Sequence, residues 1–427
     1  MTRPPLRSRA LRTSVAAALI LATVAAWWLV AVWKPAPPRE LKMATGPAGS
    51  AYAEYGARYR ERLARSGIQL TLVPTEGAVA NLALLRDAAS GVGAGFVQAG
   101  TTTAAESPSL VSLGTVFYEP LWLFERGLDP KAGFAALAGR RISIGREGSG
   151  TRALALRILD LGGVGAGVAE LMALSPEQAA DRLEGGTIDA AAIVTSWESP
   201  VVRRLLTAPG ITLASLPRAD AHVALQPHLT KLVLPAGVAD LGRNLPPADV
   251  MLVAPKASLA VRRDLHPALQ YLLLDAADQI HAAPGVFHRA SEFPAAEAID
   301  LPLADDALQF HKAGRPFLQR HLPFWLAVQA ERLAVALVPL LGVLYPLLRV
   351  LPAARTWFVK RRIALLYGEL KLLELDLKRT GAEEQGAGLR ERLDELDARV
   401  SRLRVPTMFS ALVYALRVHI RLVRERL

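Results

Sequence analysis

The segment from Arg141 to Leu159 holds the residues whose types and spacing are best suited to chemistry. Ile142 and Ile144 predict a short strand that ends in a glycine-rich turn, and a helical pattern begins near Thr151. Glycines let such a turn expose consecutive backbone N–H groups, and a helix that starts there adds the positive end of its dipole. The junction therefore suits an anion, with an ordinary structural turn as the alternative. The candidate ligand-binding residues of this turn are Gly148, Ser149, Gly150 and Thr151.

A nucleotide matches this turn poorly. Gly145 and Gly150 have the spacing of a P-loop, but Thr151 and Arg152 follow where a lysine and then a serine or threonine are required. Glu147 would also place a negative charge among the phosphates. The turn therefore favours a single carboxylate over a triphosphate.

The net charge of +11 is concentrated at the two ends of the chain. Five basic residues and no acidic residue precede Pro35, and sixteen basic against ten acidic residues lie between Ala353 and the C-terminus. The long middle is close to neutral, which disfavours a nucleic-acid-binding core. Because the chain has no cysteine, disulfides, thiolate catalysis and cysteine-ligated metal sites are excluded.

Two apolar segments account for the basic ends. Residues 14–33 are uncharged and follow four arginines, so we predict a transmembrane anchor or signal anchor, with a cleaved signal peptide as the alternative. Residues 326–351 are predicted to form a second transmembrane helix, with a buried core helix as the alternative. Basic residues on the far side of each segment place residues 1–13 and 355–427 in the cytoplasm. The expected location is the bacterial inner membrane, with the main domain in the periplasm.

Between these segments, strand patterns alternate with helix patterns. Strands are predicted at 40–44, 69–73, 94–97 and 188–194, crossing segments at 117–124 and 250–253, and helices at 51–66 and 78–88. This order predicts an α/β fold with mostly parallel sheets and two lobes. Small ligands usually bind in the cleft between two such lobes, at the carboxyl ends of the strands.

Five short motifs follow one another in this domain. They are Met43-Ala-Thr-Gly46 with Gly49-Ser50 and Tyr52, Thr75-Glu-Gly77 with Asn81-Leu82, Phe96-Val-Gln98, Gly148-Ser-Gly-Thr151 and Gly186-Thr-Ile-Asp-Ala190. Together they resemble the solute-binding proteins of the TAXI branch of the tripartite ATP-independent periplasmic (TRAP) transporters. The resemblance covers about residues 39–300.

The resemblance implies a two-lobed, periplasmic-binding-protein-like fold of the type II class. Lobe I would comprise residues 39–125 and 235–300, and lobe II residues 126–234. It also implies a small carboxylate ligand, such as glutamate or 2-oxoglutarate, that is delivered to a TRAP-type permease. Pro47 and Ala80 depart from the family pattern, which leaves room for a different ligand.

Further candidate ligand-binding residues lie in the other motifs and after the strand at 188–194. Thr45 and Ser50 can donate hydroxyl groups to a carboxylate, but Ser50 is equally suited to cap the helix that follows. Tyr52 and Trp197 can line the ligand or pack in the core, and Asn81 can cap locally. These candidates are Thr45, Gly49, Ser50, Tyr52, Asn81, Gln98 and Trp197.

No metal, cofactor or catalytic signature is present in the sequence. His222, His228, His281 and His288 lack partners at ligand spacing and are interpreted as solvated side chains. We therefore expect a protein that is not an enzyme and that needs no cofactor.

The tail after residue 355 has two heptad stripes separated by a glycine-rich loop at 381–388, which predicts an antiparallel helical hairpin or a seam for a homo-oligomer. A basic amphipathic segment follows Pro406 and would rest on the membrane or pack on the hairpin as a third helix. A free solute receptor needs no such tail. The leading hypothesis is thus a membrane-anchored solute-binding protein for a TRAP-type transporter, and the alternative is a ligand sensor or scaffold that signals through its coiled-coil tail.

Overall fold

The computed structural model divides the chain into two compact units, one of residues 35–329 and one of residues 1–34 with 330–427. The described residues are 37–128, 133–165, 167–216, 218–314, 321–380 and 382–426, together with Thr23 and Leu318. The predicted segments 1–13 and, apart from Thr23, 14–33 lie outside them.

The larger unit alternates strands and helices, as the sequence predicts. Its strands are β1 (Glu40–Ala44), β2 (Gln69–Val73), β3 (Val92–Gln98), β4 (Leu110–Tyr118), β5 (Leu121–Arg126), β6 (Arg141–Ser143), β7 (Glu170–Met172), β8 (Ala190–Val194), β9 (Ile211–Leu213), β10 (Leu229–Leu234) and β11 (Val250–Arg262). Its helices are α1 (Ala51–Arg65), α2 (Ala78–Arg86), α3 (Gly150–Leu161), α4 (Pro176–Glu184), α5 (Pro200–Thr207), α6 (Ala219–Leu225), α7 (Pro267–His281) and α8 (Asp305–Ala313).

Lobe I is built on a six-stranded sheet in the order β10-β11-β3-β1-β2, with β4 paired to β11. β1 pairs in parallel with β2 and β3, whereas β11 runs antiparallel to β3 and β4. α1 covers this sheet because Tyr52, Tyr55, Tyr59 and Leu63 recur at helical spacing and are all buried. The resulting core fixes the N-terminus of α1 at the carboxyl end of β1.

Lobe II is built on a five-stranded sheet in the order β7-β6-β8-β5-β9. β6 is parallel to β7 and β8, and β5 is antiparallel to β8 and β9. Ile142 and Ile144 are fully buried in this lobe, as their apolar run predicts. The two-sheet, two-lobed α/β architecture is the one that the sequence pattern predicts.

The two points at which the chain passes from one lobe to the other differ from the predicted boundaries at residues 126 and 235. The crossing segment predicted at 117–124 is two strands, because Glu119 and Pro120 interrupt it between β4 and β5. β5 already belongs to the sheet of lobe II. At the other crossing, Leu232 and Leu252 pack into the apolar core of lobe II, and β11 pairs with β3 from Ala257 onwards.

The smaller unit is helical where it is described. Its helices are α9 (Phe324–Thr380), whose first residues lie in the larger unit, α10 (Ala382–Ser401) and α11 (Ser410–Arg424). The predicted hairpin is present, and α11 packs on it as a third helix through Leu416, Ile420 and Val423. The glycine-rich loop predicted at 381–388 is shorter than expected, because α10 begins at Ala382.

The predicted apolar segment 326–351 lies within α9. Trp325 at the start of this helix donates from Nε1 to the carbonyl of Ser66 at 2.9 Å, and Ala327 and Val328 are buried. Among the described residues, no helix combines the length and apolar character that crossing a bilayer requires.

Candidate functional site

Four helices begin at one cleft between the two lobes. Lobe I contributes the first residues of α1 and α2, and lobe II contributes the first residues of α3 and α4. The cleft has a cavity volume of about 70 Å³. Because each helix N-terminus carries a partial positive charge, this arrangement is suited to a small anion.

The start of α3 shows how the sequence builds this part of the cleft. Ser149 is the N-cap, and its Oγ accepts from the N–H of Arg152 at 3.1 Å and donates to the carbonyl of Arg146 at 2.6 Å. The hydroxyl of Ser149 is therefore used within the turn. The N–H groups of Gly150 and Thr151 have no acceptor within the described residues, and both residues line the cleft. The backbone, rather than the serine hydroxyl, is available to an anion here.

Two buried hydroxyl groups in lobe II line the same cleft. Ser143 ends β6 and is 1% exposed, and Thr195 follows β8 and is 6% exposed. Neither Oγ of Ser143 nor Oγ1 of Thr195 has a hydrogen-bond partner within the described part of the chain. An unsatisfied buried hydroxyl costs about 1–3 kcal/mol. A polar ligand in the cleft would satisfy both groups.

A buried carboxyl group lies at the point where the chain passes from lobe I to lobe II. Glu119 is 3% exposed, lines the cleft and accepts from the hydroxyl of Tyr52 at 2.9 Å through Oε2. Burial raises the pKa of Glu119 to about 8, against the smaller lowering effect of the Tyr52 hydrogen bond. The carboxyl group is therefore mostly protonated at neutral pH.

The two lobes contact each other through the turn at residues 146–150 of lobe II. Gln98 donates from Nε2 to the carbonyl of Gly150 at 3.2 Å, and the N–H of Ala80 donates to the carbonyl of Gly148 at 3.1 Å. Near the rim, Arg146 pairs with Glu76 at 3.1 Å. These contacts hold the lobes in a closed arrangement around the small cleft.

Six of the sequence-predicted residues line the cleft and five lie outside its lining. The six are Ser50, Tyr52, Gln98, Ser149, Gly150 and Thr151. Of the others, Asn81 is buried between Thr75 and the carbonyl of Phe96, and Thr45 bonds the carbonyl of Val73. Trp197 packs against Trp122 with ring centroids 6.2 Å apart. The remaining two, Gly49 and Gly148, have positive φ angles of 77° and 80° in the turns before α1 and α3.

The interpretation of the histidines as solvated is wrong for two of them. His281 is 4% exposed and lies 4.6 Å from Tyr55 between ring centroids, and burial lowers its pKa to about 3. His222 is also buried. The segment around His281 looks like a polar helix in the sequence. In the structure, however, α7 packs its C-terminal turn on the aromatic face of α1. In the described ranges, no three metal-ligating side chains cluster.

The model of the NMT1-like family matches residues 43–313, which is more than half of the chain. The chain belongs to the NMT1-like family. The match begins within β1 and ends with α8, so it contains both lobes and every residue that lines the cleft.

Solved structures similar to this NMT1-like protein include three periplasmic binding proteins. The aliphatic sulphonate binding protein SsuA from Escherichia coli is 16% identical over 57% of this chain and 69% of that chain, with a TM-score of 0.38. An arginine-specific periplasmic binding protein from Salmonella typhimurium is 12% identical over 58% of this chain and 96% of that chain, with a TM-score of 0.36. A periplasmic substrate-binding protein of an ABC transporter from Coxiella burnetii is 17% identical over 58% and 93%, with a TM-score of 0.34.

Ser143, Thr195 and Glu119 of this NMT1-like protein line the cleft but are not among the residues predicted from its sequence. A signal existed for Ser143, which lies between Ile142 and Ile144 in a strand that leads into the glycine turn. A similar signal existed for Thr195, which directly follows the apolar run Ala190–Val194. Glu119 gave no signal, because nothing in its neighbours predicts that a carboxyl group between two apolar strands faces a cavity.

Proposed function

We propose that this NMT1-like protein is a solute-binding protein that closes its two lobes on a small organic anion. The observation that carries the proposal is the meeting of four helix N-termini, two from each lobe, at one enclosed cleft. Each N-terminus is equivalent to roughly half a positive charge. An anion would therefore draw the two lobes together, since each lobe contributes part of the positive potential.

The charged side chains of the cleft leave this potential in place. Arg146 and Glu76 line the cleft and pair with each other. Glu119 is uncharged when protonated, as the raised pKa favours at neutral pH. Backbone N–H groups and hydroxyls are thus the groups left to bind a ligand, and they suit a carboxylate of the size of glutamate or a C4–C5 dicarboxylate.

Isothermal titration of the full-length protein tests this proposal. The titrants are C4–C5 dicarboxylates and acidic amino acids, with putrescine as a cation and glucose as a neutral solute. At least one of the anions is expected to bind and to raise the melting temperature, because a ligand that binds only the folded state stabilises it. Binding of putrescine or glucose alone, with no anion bound, contradicts the proposal.

The transport partner is proposed to be a TRAP-type permease in the bacterial inner membrane. The resemblance of the five motifs to TAXI proteins supports this part of the proposal, as does the apolar segment at 14–33. Both termini would then lie in the cytoplasm and the two lobes in the periplasm.

A ligand sensor is the second candidate function. The observation that favours it is the separate helical unit, in which α9, α10 and α11 share an apolar core of their own. Solute capture alone gives no role to such a unit.

A further inference from the structure

The cleft contains one buried acid that no cation balances. Among the described residues, Tyr52 is the one hydrogen-bond donor to the Glu119 carboxyl group, through Oε2, and no Lys, Arg or His pairs with it. Arg146, the cationic side chain in the lining, is already paired with Glu76. Isolated buried acids cost free energy unless a partner is supplied. The free protein avoids this cost by keeping Glu119 protonated, and a cationic partner for the ionised carboxylate would have to come from outside the chain.

The opposite wall of the cleft is suited to a carboxylate. It carries the N–H groups of Gly150 and Thr151 and the hydroxyls of Ser143 and Thr195, none of which has a hydrogen-bond partner within the described ranges. The cavity volume is only about 70 Å³ and Glu119 lines the same cavity, so a ligand held at this wall can also reach Glu119.

We propose that the ligand is a zwitterion, an amino acid whose carboxylate lies at the start of α3 and whose ammonium group pairs with Glu119. This inference rests on the proposed function and selects one ligand class within it. A ligand with carboxylates alone would leave Glu119 with a role only as an O–H donor. The other wall of the cleft already carries hydrogen-bond donors for a carboxylate. Among the described residues, Glu119 is the acidic side chain of the lining that pairs with no cationic side chain.

Ionisation of Glu119 gives the proposal a pH dependence with a definite sign. Tyr52 is the titratable group in contact with Glu119, and Glu76 and Arg146 are the other charged groups of the lining. With a pKa of about 8, the free protein holds a proton on Glu119 at pH 7. Binding of an ammonium group favours the carboxylate, so about one proton is released for each ligand bound. Affinity therefore rises about tenfold per pH unit below pH 8 and levels off above it.

Titration calorimetry with matched ligand pairs tests the proposal on the full-length protein. The pairs are L-glutamate with 2-oxoglutarate and L-alanine with pyruvate, which differ in an ammonium group against a keto oxygen. The wild-type protein is expected to bind the amino member of at least one pair about ten- to a hundredfold more tightly. In Glu119→Gln this preference should fall below about threefold, because the amide cannot form the ion pair.

Glu125→Gln is the matched control, since Glu125 is a second buried acid with a pKa raised by burial to about 7 and does not line the cleft. It should keep the preference of the wild type. Titration in two buffers of different ionisation enthalpy should show release of about one proton with wild type and none with Glu119→Gln.

Three results would overturn the inference. If a keto acid or dicarboxylate binds as tightly as its amino counterpart, the ligand is not selected by Glu119, although anion binding itself stands. The same holds if Glu119→Gln folds, as judged by its thermal melt, and keeps the amino preference. If no anion of any kind binds, the proposed function fails together with the inference.

Discussion

At the scale of single residues, substitutions of Ser143 and Thr195 distinguish a role in ligand binding from a role in stability. Their hydroxyls are buried without a hydrogen-bond partner among the described residues, so their removal breaks no hydrogen bond between the residues that the structure describes. Ser143→Ala and Thr195→Val should leave the melting temperature of the free protein unchanged or raise it. Both should weaken ligand binding by about ten- to a hundredfold, because a hydrogen bond to a charged group contributes about 1.5–3 kcal/mol. Thermal melts and calorimetry on the same samples measure the two effects.

Ser149→Ala is the matched control for these hydroxyl deletions. Its Oγ caps α3 and has both of its roles filled within the turn. Removal of an N-cap costs about 1 kcal/mol of stability, so this variant should melt earlier than Ser143→Ala. A loss of stability in Ser143→Ala with ligand affinity unchanged would mean that the hydroxyl has a structural partner and no ligand.

At the scale of secondary-structure elements, Gln98 at the end of β3 and Gly150 at the start of α3 connect the two lobes. A Cβ at position 150, in the first turn of α3, would overlap Oε1 of Gln98, at the end of β3. Gly150→Ala should therefore force Gln98 away, open the cleft and weaken ligand binding by more than about tenfold, or about 1.4 kcal/mol. Because Gln98→Ala removes the obstructing side chain, the double variant should bind more tightly than the sum of the two single losses predicts.

Calorimetry on the four proteins of this cycle measures the coupling. Gly368→Ala serves as a control glycine, since no atom outside its own helix lies within 4 Å of its Cβ position. It should bind ligand like the wild type. Additive losses at Gly150 and Gln98 would show that the two residues act on the ligand separately and that the lobes do not close through this contact.

The elements that position the site follow from local patterns that a sequence carries. β1 and β2 have the predicted bounds, and α1 begins where Ser50 caps it, because strand alternation and N-caps are encoded by near neighbours. The turn at residues 145–149 and the start of α3 at Gly150 are predictable for the same reason.

Contacts that span many residues were harder to predict. Glu119 meets Tyr52 across 67 positions, and His281 is buried against Tyr55 by the packing of two helices far apart in sequence. α10 begins at Ala382 despite the weak helix propensity of the glycines in 381–388. Such features depend on which elements meet, and one sequence without its fold leaves that open.

At the scale of the whole molecule, the chain has two units, and solute capture assigns no role to the helical tail unit. The cleft is contained within residues 35–329, and the helical unit has its own core around Leu393, Leu396 and Leu416, all fully buried. Binding and the function of the tail should therefore be separable by substitutions that unfold one core and leave the other intact.

Leu393→Asp makes this separation without shortening the chain. A charge buried in the three-helix core should destabilise it by several kcal/mol and lower the helical signal in circular dichroism, while ligand affinity in calorimetry stays within about threefold of wild type, a difference below 1 kcal/mol. Leu372→Asp, at a position 63% exposed on α9, is the matched control and should change neither.

If the protein serves transport, ligand uptake by cells should continue in Leu393→Asp. If it is a sensor, uptake should continue while a ligand-dependent transcriptional or assembly response disappears. Loss of ligand affinity in Leu393→Asp would instead show that the two units are energetically coupled, and the separation of capture from the tail would be wrong.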